Sequence, residues 1–188
     1  AYDVSQMQIG RRLAMKLLNA SKFALAQGVH GGHVQDFDHV THPLDQALLS
    51  KLRATIEQAG AHFAEYDYAH ALRVTESFFW EFTDDYVELV KDRSYGAQGE
   101  QAQLSAHVTL ATALDALLRL FAPFMPFVTE EVWSWWHDGS IHRTTWPGAT
   151  EITVGDTSGV ELETIATILA EVRRAKTEAK VSQKTEVV

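Results

Sequence analysis

The sequence predicts an all-α helical bundle of about five to six helices, with a short extended segment before the last one. Three observations carry that expectation. Nearly every long periodic stretch repeats its apolar residues at helical spacing. Prolines number only four in 188 residues, and Pro43, Pro123 and Pro126 stand at expected helix ends. Hydrophobic residues make up 46% and charged residues 22%, the balance of a globular chain large enough to bury a core.

The elements follow in order. A first helix runs from about Val4 to Gln27 and ends at Gly28. Residues 28–42 are polar and glycine-rich, with His30, His33, His39 and His42, and read as a solvated loop. Pro43 opens the second helix, where the first-turn N–H needs no partner, and Leu44, Ala47, Leu48, Leu52 and Ile56 form its apolar side toward Phe63. Asp67 caps a third helix with the stripe Leu72, Thr75, Phe79, Phe82, Tyr86 and Leu89, stopping near Gly96. A fourth carries Leu104, Val108, Ala111, Leu114, Leu118 and Phe121 up to Pro123. Pro126 pushes Met125 out of helical geometry and starts a fifth helix to about His137, whose Trp133, Trp135 and Trp136 read as core and hinge packing. Residues 140–153 are rich in β-formers and read as extended. The last helix spans about Val160–Lys180, and the tail beyond it alternates like a strand.

Composition also excludes functions. Without cysteine, disulfides, thiolate catalysis and cysteine-ligated zinc are ruled out. No apolar run reads as a membrane span and no signal peptide opens the chain, so a cytosolic protein with no membrane partner is expected. The net charge of −9 is unevenly spread. Arg11, Arg12, Lys16 and Lys22 against Asp3 leave the first 27 residues at +3, and the last 18 stand at +2, so the acidic excess lies between.

On a helical wheel with Arg12 at the origin, Ile9, Leu13, Leu17, Ala20 and Ala24, with Ala14, Leu18 and Leu25, span a broad buried arc. Phe23 falls outside it, between Arg12 and Lys16 and one turn above Asn19. An aromatic ring beside cations and a side-chain amide is the combination that single-stranded RNA sites use: the ring stacks on a base, the amide reads a base edge, the cations meet phosphates. The competing reading is a ring covered by a neighbouring helix.

The stretches ESFFWEFTDDYVELVKDRSYG (76–96), LFAPFMPFVTEEVWSWW (120–136) and SIHRTTWP (140–147), together with the opening GRRLAMKLLNASKF, occur here in one order. On those motifs, from about Gln6 to Thr185, the chain resembles the anticodon-binding domain of class I aminoacyl-tRNA synthetases, within them most of all the bacterial valyl-tRNA synthetases. The resemblance implies that Asn19, Lys22 and Phe23 meet anticodon bases, with Arg12 and Lys16 on nearby phosphates and Arg173, Arg174 and Lys176 as secondary RNA contacts. Lys22 stands where the family pattern has arginine, which exchanges a planar fork for a point charge. Asp85 stands where many relatives have tryptophan. It further implies a bundle over residues 1–150, followed at 151–188 by a linker, the last helix and the start of the next region. The partners implied are the anticodon loop of tRNA(Val) and the catalytic domain of the same polypeptide. ATP and magnesium serve that catalytic part, so these residues are expected to hold no cofactor, no metal and no catalytic residue.

Two short matches are set aside. His30-Gly31-Gly32-His33 is similar to the ATP-binding histidine element of class I synthetases, and Lys180–Lys184 to their lysine-rich loop. The first needs a strand-to-helix turn in a nucleotide-binding sheet, and the second should precede this domain. The histidines of residues 28–42, with Asp36 and Asp38, lack the spacing of a preorganised metal site. The acidic row Glu76, Glu81, Asp84, Asp85 and Glu88 reads as a solvated face, the alternative being a row that repels RNA from wrong docking. The alternatives left open are an isoleucyl or leucyl member of the same class and a free-standing helical adaptor that binds protein.

Overall fold

The computed structural model describes residues 4–154 and 160–181. Among the described residues seven α-helices form: α1 (Val4–Ala26), α2 (Pro43–Ala64), α3 (Tyr68–Glu81), α4 (Val87–Ser94), α5 (Glu100–Phe121), α6 (Pro126–Trp133) and α7 (Val160–Glu178). The five residues Phe82–Tyr86 continue α3 into α4 as a π-helical turn, so the two run on as one helical arm. No strand forms among the described residues.

The bundle is organised around α5, which touches α1, α2, α3, α4 and α6. Every residue from Ser105 to Leu118 is buried, so this helix has no solvent face over that length. By length and composition α5 is also apolar enough to cross a membrane, which the sequence reading did not register. Its most apolar window is 89% buried inside the protein, so that apolarity serves the core. Phe79 of α3 meets Phe121 edge to face, with ring centroids 5.4 Å apart.

Local chemistry sets the helix ends. Gly28 and Gly96 adopt φ of +84° and +85°, a left-handed conformation that costs glycine nothing and stops α1 and α4. His42 caps α2, its Nδ1 accepting from the Leu44 N–H, with Pro43 in the first turn. Asp67 caps α3 through the His70 N–H. Met125 sits at φ −134° and ψ 58°, outside helical geometry as Pro126 demands.

A buried polar cluster ties the arms together. The Asp45 carboxylate, on the first turn of α2, accepts from Arg93 of α4, from the Tyr86 hydroxyl and from Ser105 Oγ of α5. Ser105 Oγ in turn accepts from the Thr41 and His42 N–H groups, both at 3.2 Å. Burial, with the Asp45 carboxylate beside it, keeps the Tyr86 phenol protonated far above its ordinary range. Burial works against the Arg93 charge, but the Asp45 hydrogen bonds outweigh it and raise the guanidinium pKa. A second cluster joins Arg119 of α5 to Asp115 at 2.8 Å and to Glu151 at 2.7 Å.

Several expectations change. Residues 28–42 are not a solvated loop: Val29 and Val40 are buried, and two 3-10 turns lie against α5. Residues 140–153 alternate extended backbone with the 3-10 turns Ile141–Arg143 and Ala149–Glu151. The first turn is held by Glu130, whose carboxylate accepts from Ser140 Oγ and from the Ile141 N–H, a backbone donor that a strand would have spent on a neighbour. Trp133 is core and Trp136 packs on it, but Trp135 is 37% exposed, its indole donating to Glu131. Ile9 is 49% exposed, because α1 is buried only from Leu13 onward. The expected tail strand lies outside the described residues, apart from Val181.

Candidate nucleic-acid interface

The polar side of α1 faces the π-turn and α4 across a shallow cleft of about 230 Å³, lined by Lys16, Asn19, Ala20 and Phe23 on one wall and Thr83, Val87, Glu88 and Lys91 on the other. Helical spacing explains the first wall. Residues 12, 16, 19 and 23 repeat at intervals of four and three, so Arg12, Lys16, Asn19 and Phe23 form one stripe. Leu13, Leu17, Ser21 and Ala24 hold the opposite side against the bundle, and Ser21 satisfies its hydroxyl by donating to the Leu17 carbonyl at 2.8 Å.

The second wall depends on the π-turn. One wide turn sends Phe82, Thr83 and Tyr86 inward and leaves Asp84 at the surface. Tyr86 is pinned by Asp45, so the buried cluster fixes the turn that faces α1. Asp84 reaches across to α1, its Oδ1 2.6 Å from Lys16 Nζ. Lys91 pairs with Glu88 and places its ammonium 6.0 Å from the Phe23 ring centroid.

Phe23 is half-buried: part of it packs on the core, and part lines the cleft. The ring is therefore neither sealed under a neighbouring helix nor free-standing. Asn19 is exposed at the cleft, and Arg12 is exposed at the head of the stripe. Lys22 is exposed on the flank and does not line the cleft. Arg174 belongs to α7, paired with Glu171 at 2.7 Å and near Glu178, and Lys176 lies half-buried on the same helix. The Arg173 side chain lies outside the described residues.

The sequence reading missed Thr83, Val87 and Lys91 as a facing wall, and with them the partner of Lys16. It took the acidic row as a solvated face, yet Asp84 and Glu88 hold lysines, and Glu81 pairs with Lys51 at 2.6 Å with only 17% of its side chain exposed. Glu76 is half-buried, and burial raises its carboxyl pKa. Acidic residues at helical spacing opposite a basic helix were the available signal; which helix faced which was not.

The His30–His33 motif forms a 3-10 turn closed on itself. His30 Nδ1 accepts from the Gly32 N–H, His33 Nδ1 accepts from the His30 N–H, and the two rings stack with centroids 3.8 Å apart. Among the described residues no cluster of three metal-ligating side chains forms. Of the lysine-rich match, residues 182–184 lie outside the described residues.

A helical bundle with a half-open aromatic ring, an amide and cations along one cleft defines a candidate single-stranded RNA-binding module. A family model described as the anticodon-binding domain of tRNA ligase matches residues 45–188, and the chain belongs to that family. Over its whole length it is 50% identical to a valine–tRNA ligase of Thermobifida fusca, 48% to one of Cutibacterium acnes and 47% to one of Salinispora arenicola. It spans 21%, 21% and 24% of those proteins, so less than a quarter of each.

Proposed function

We propose that this chain is the anticodon-reading part of a valine–tRNA ligase and that the α1 cleft receives an unpaired base of the tRNA(Val) anticodon loop. Phe23 stacks on the base and Asn19 hydrogen-bonds its edge, while Arg12, Lys16 and Lys22 meet the neighbouring phosphates. Arg173, Arg174 and Lys176 follow the stem as secondary contacts. Residues 1–150 form the reading bundle, and residues 151–188 begin the region that follows it. Activation of valine with ATP and magnesium, and transfer to the terminal ribose, belong to the catalytic domain of the longer polypeptide in the cytosol.

The observation that carries this reading is the position of Phe23. In a chain of this family, an aromatic ring keeps one part open to a cleft and has an amide and two lysines around it. Titrating the chain with an anticodon stem-loop tests it. Binding that weakens when the valine anticodon is exchanged for an isoleucine or leucine anticodon supports the reading. Equal binding of all three, or binding without salt sensitivity, removes it.

A further inference from the structure

The two lysines of the cleft are already occupied. Lys16 is held by Asp84 across the gap and Lys91 by Glu88 one turn back, so the charges of the cleft cancel in the free protein. Arg11, Arg12 and Lys22 are exposed on α1 outside the lining of the cleft. We infer that Asp84 and Glu88 are specificity-determining residues: they mask Lys16 and Lys91 against any polyanion that does not also place a base beside Phe23.

The physical basis is a comparison of two exchanges. An RNA strand lying along the outside of the cleft approaches two carboxylates as well as two lysines and gains no net attraction there. Like-charge contact then acts against it. A strand that inserts a base gains stacking on Phe23, and its flanking phosphates arrive beside Lys16 and Lys91, which line the same cleft. Both ion pairs are surface pairs, with side chains 37% and 48% exposed in one and 41% and 50% in the other. Pairs of that exposure are weak, so stacking outweighs their rupture and phosphate takes the place of carboxylate. The geometry is set from inside: the π-turn that carries Asp84 is fixed through Tyr86 on the buried Asp45 carboxylate.

The inference rests on the RNA-binding reading above, and the experiment separates the two. The chain and its Asp84→Asn/Glu88→Gln variant are titrated with a valine anticodon stem-loop and with an abasic ribose-phosphate RNA strand of equal length, which has no base to insert, from 50 to 200 mM salt. The variant should tighten binding of the abasic strand several-fold more than stem-loop binding. Its logarithmic salt slope on the abasic strand should steepen by about 1.4, about 0.7 for each lysine released. Asp84→Glu/Glu88→Asp, which keeps both charges, should restore the original ratio and exclude a folding artefact. Equal tightening on both RNAs, or no change on either, overturns the inference while the reading beneath it stands. A parent chain that binds neither RNA overturns both.

Discussion

Arg93 and Asp45 meet as a forked ion pair in the interior: Nη1 donates to Oδ2 at 2.8 Å and Nη2 to Oδ1 at 2.5 Å, with side chains 3% and 0% exposed. Asp45 then receives Tyr86 and Ser105, so a single carboxylate joins α2, the π-turn, α4 and α5. A buried pair of this kind stabilises little against apolar residues of the same shape, but removing one partner strands the other charge.

Replacing Asp45 by Asn should therefore cost about 3–5 kcal/mol, because Arg93 keeps its charge and loses its counterion. Urea unfolding would show it as a lower midpoint at unchanged slope. An unchanged midpoint would mean that Arg93 finds water or another acceptor in the folded state.

Phe23 has two roles to separate, since its ring both packs on the core and lines the cleft. Phe23→Ala should weaken binding of an anticodon stem-loop by about 1–3 kcal/mol and also lower thermal stability. Phe23→Leu keeps most of the apolar packing but has no flat face to stack. It should retain stability and lose most of the binding. A Leu variant that binds like the parent would make the ring a packing residue only.

Lys16 is paired with Asp84 in the free protein, so its contribution to RNA binding requires an exchange of partners. Lys16→Ala should lower the logarithmic salt slope on the anticodon stem-loop by about 0.7. On an abasic ribose-phosphate strand it should leave the slope as it was. A change on both RNAs would place Lys16 in free contact with phosphate throughout.

These expectations trace which parts of the architecture were visible in the sequence. Helix starts and stops were legible because each rests on one or two local residues, such as Pro43, Asp67, Gly96 and Pro126. The face of α1 was legible from Leu13 to Ala24, where a periodic stripe meets a core. Ile9 continues that stripe past the end of the bundle, and periodicity carries no information about where the partner helix stops. The Asp45 cluster was hidden for another reason. A carboxylate and a guanidinium 48 residues apart become a pair only once α2 and α4 are brought together, and neither local pattern foretells that. The same holds for the second wall of the cleft: Lys91 and Thr83 read as ordinary helix residues until the π-turn sets their direction.

Supplied with ATP and valine, the chain should release no pyrophosphate. The His30–His33 turn spends the Nδ1 atom of each imidazole on its own backbone N–H groups. Turnover above the buffer background would show that this turn opens to hold a nucleotide.

Acid should loosen the fold through His42. Its Nδ1 accepts the Leu44 N–H at the start of α2, so the cap needs a neutral ring. Burial lowers the imidazole pKa, and the Arg93 charge lowers it further, against the opposing pull of Asp45. The unfolded chain then binds the proton more tightly than the folded one. The contribution of this group is complete above the ordinary imidazole value of about 6.5 and is lost as the pH falls through the lower folded value. His33, whose pKa burial also lowers, adds to the same slope with the same sign. Asparagine caps helices without titrating in this range, so His42→Asn should preserve stability at pH 8 and flatten the decline below pH 6.5 to the part that His33 supplies. Urea midpoints for both proteins across that range measure it, and two parallel curves would remove His42 as a source of the acid sensitivity.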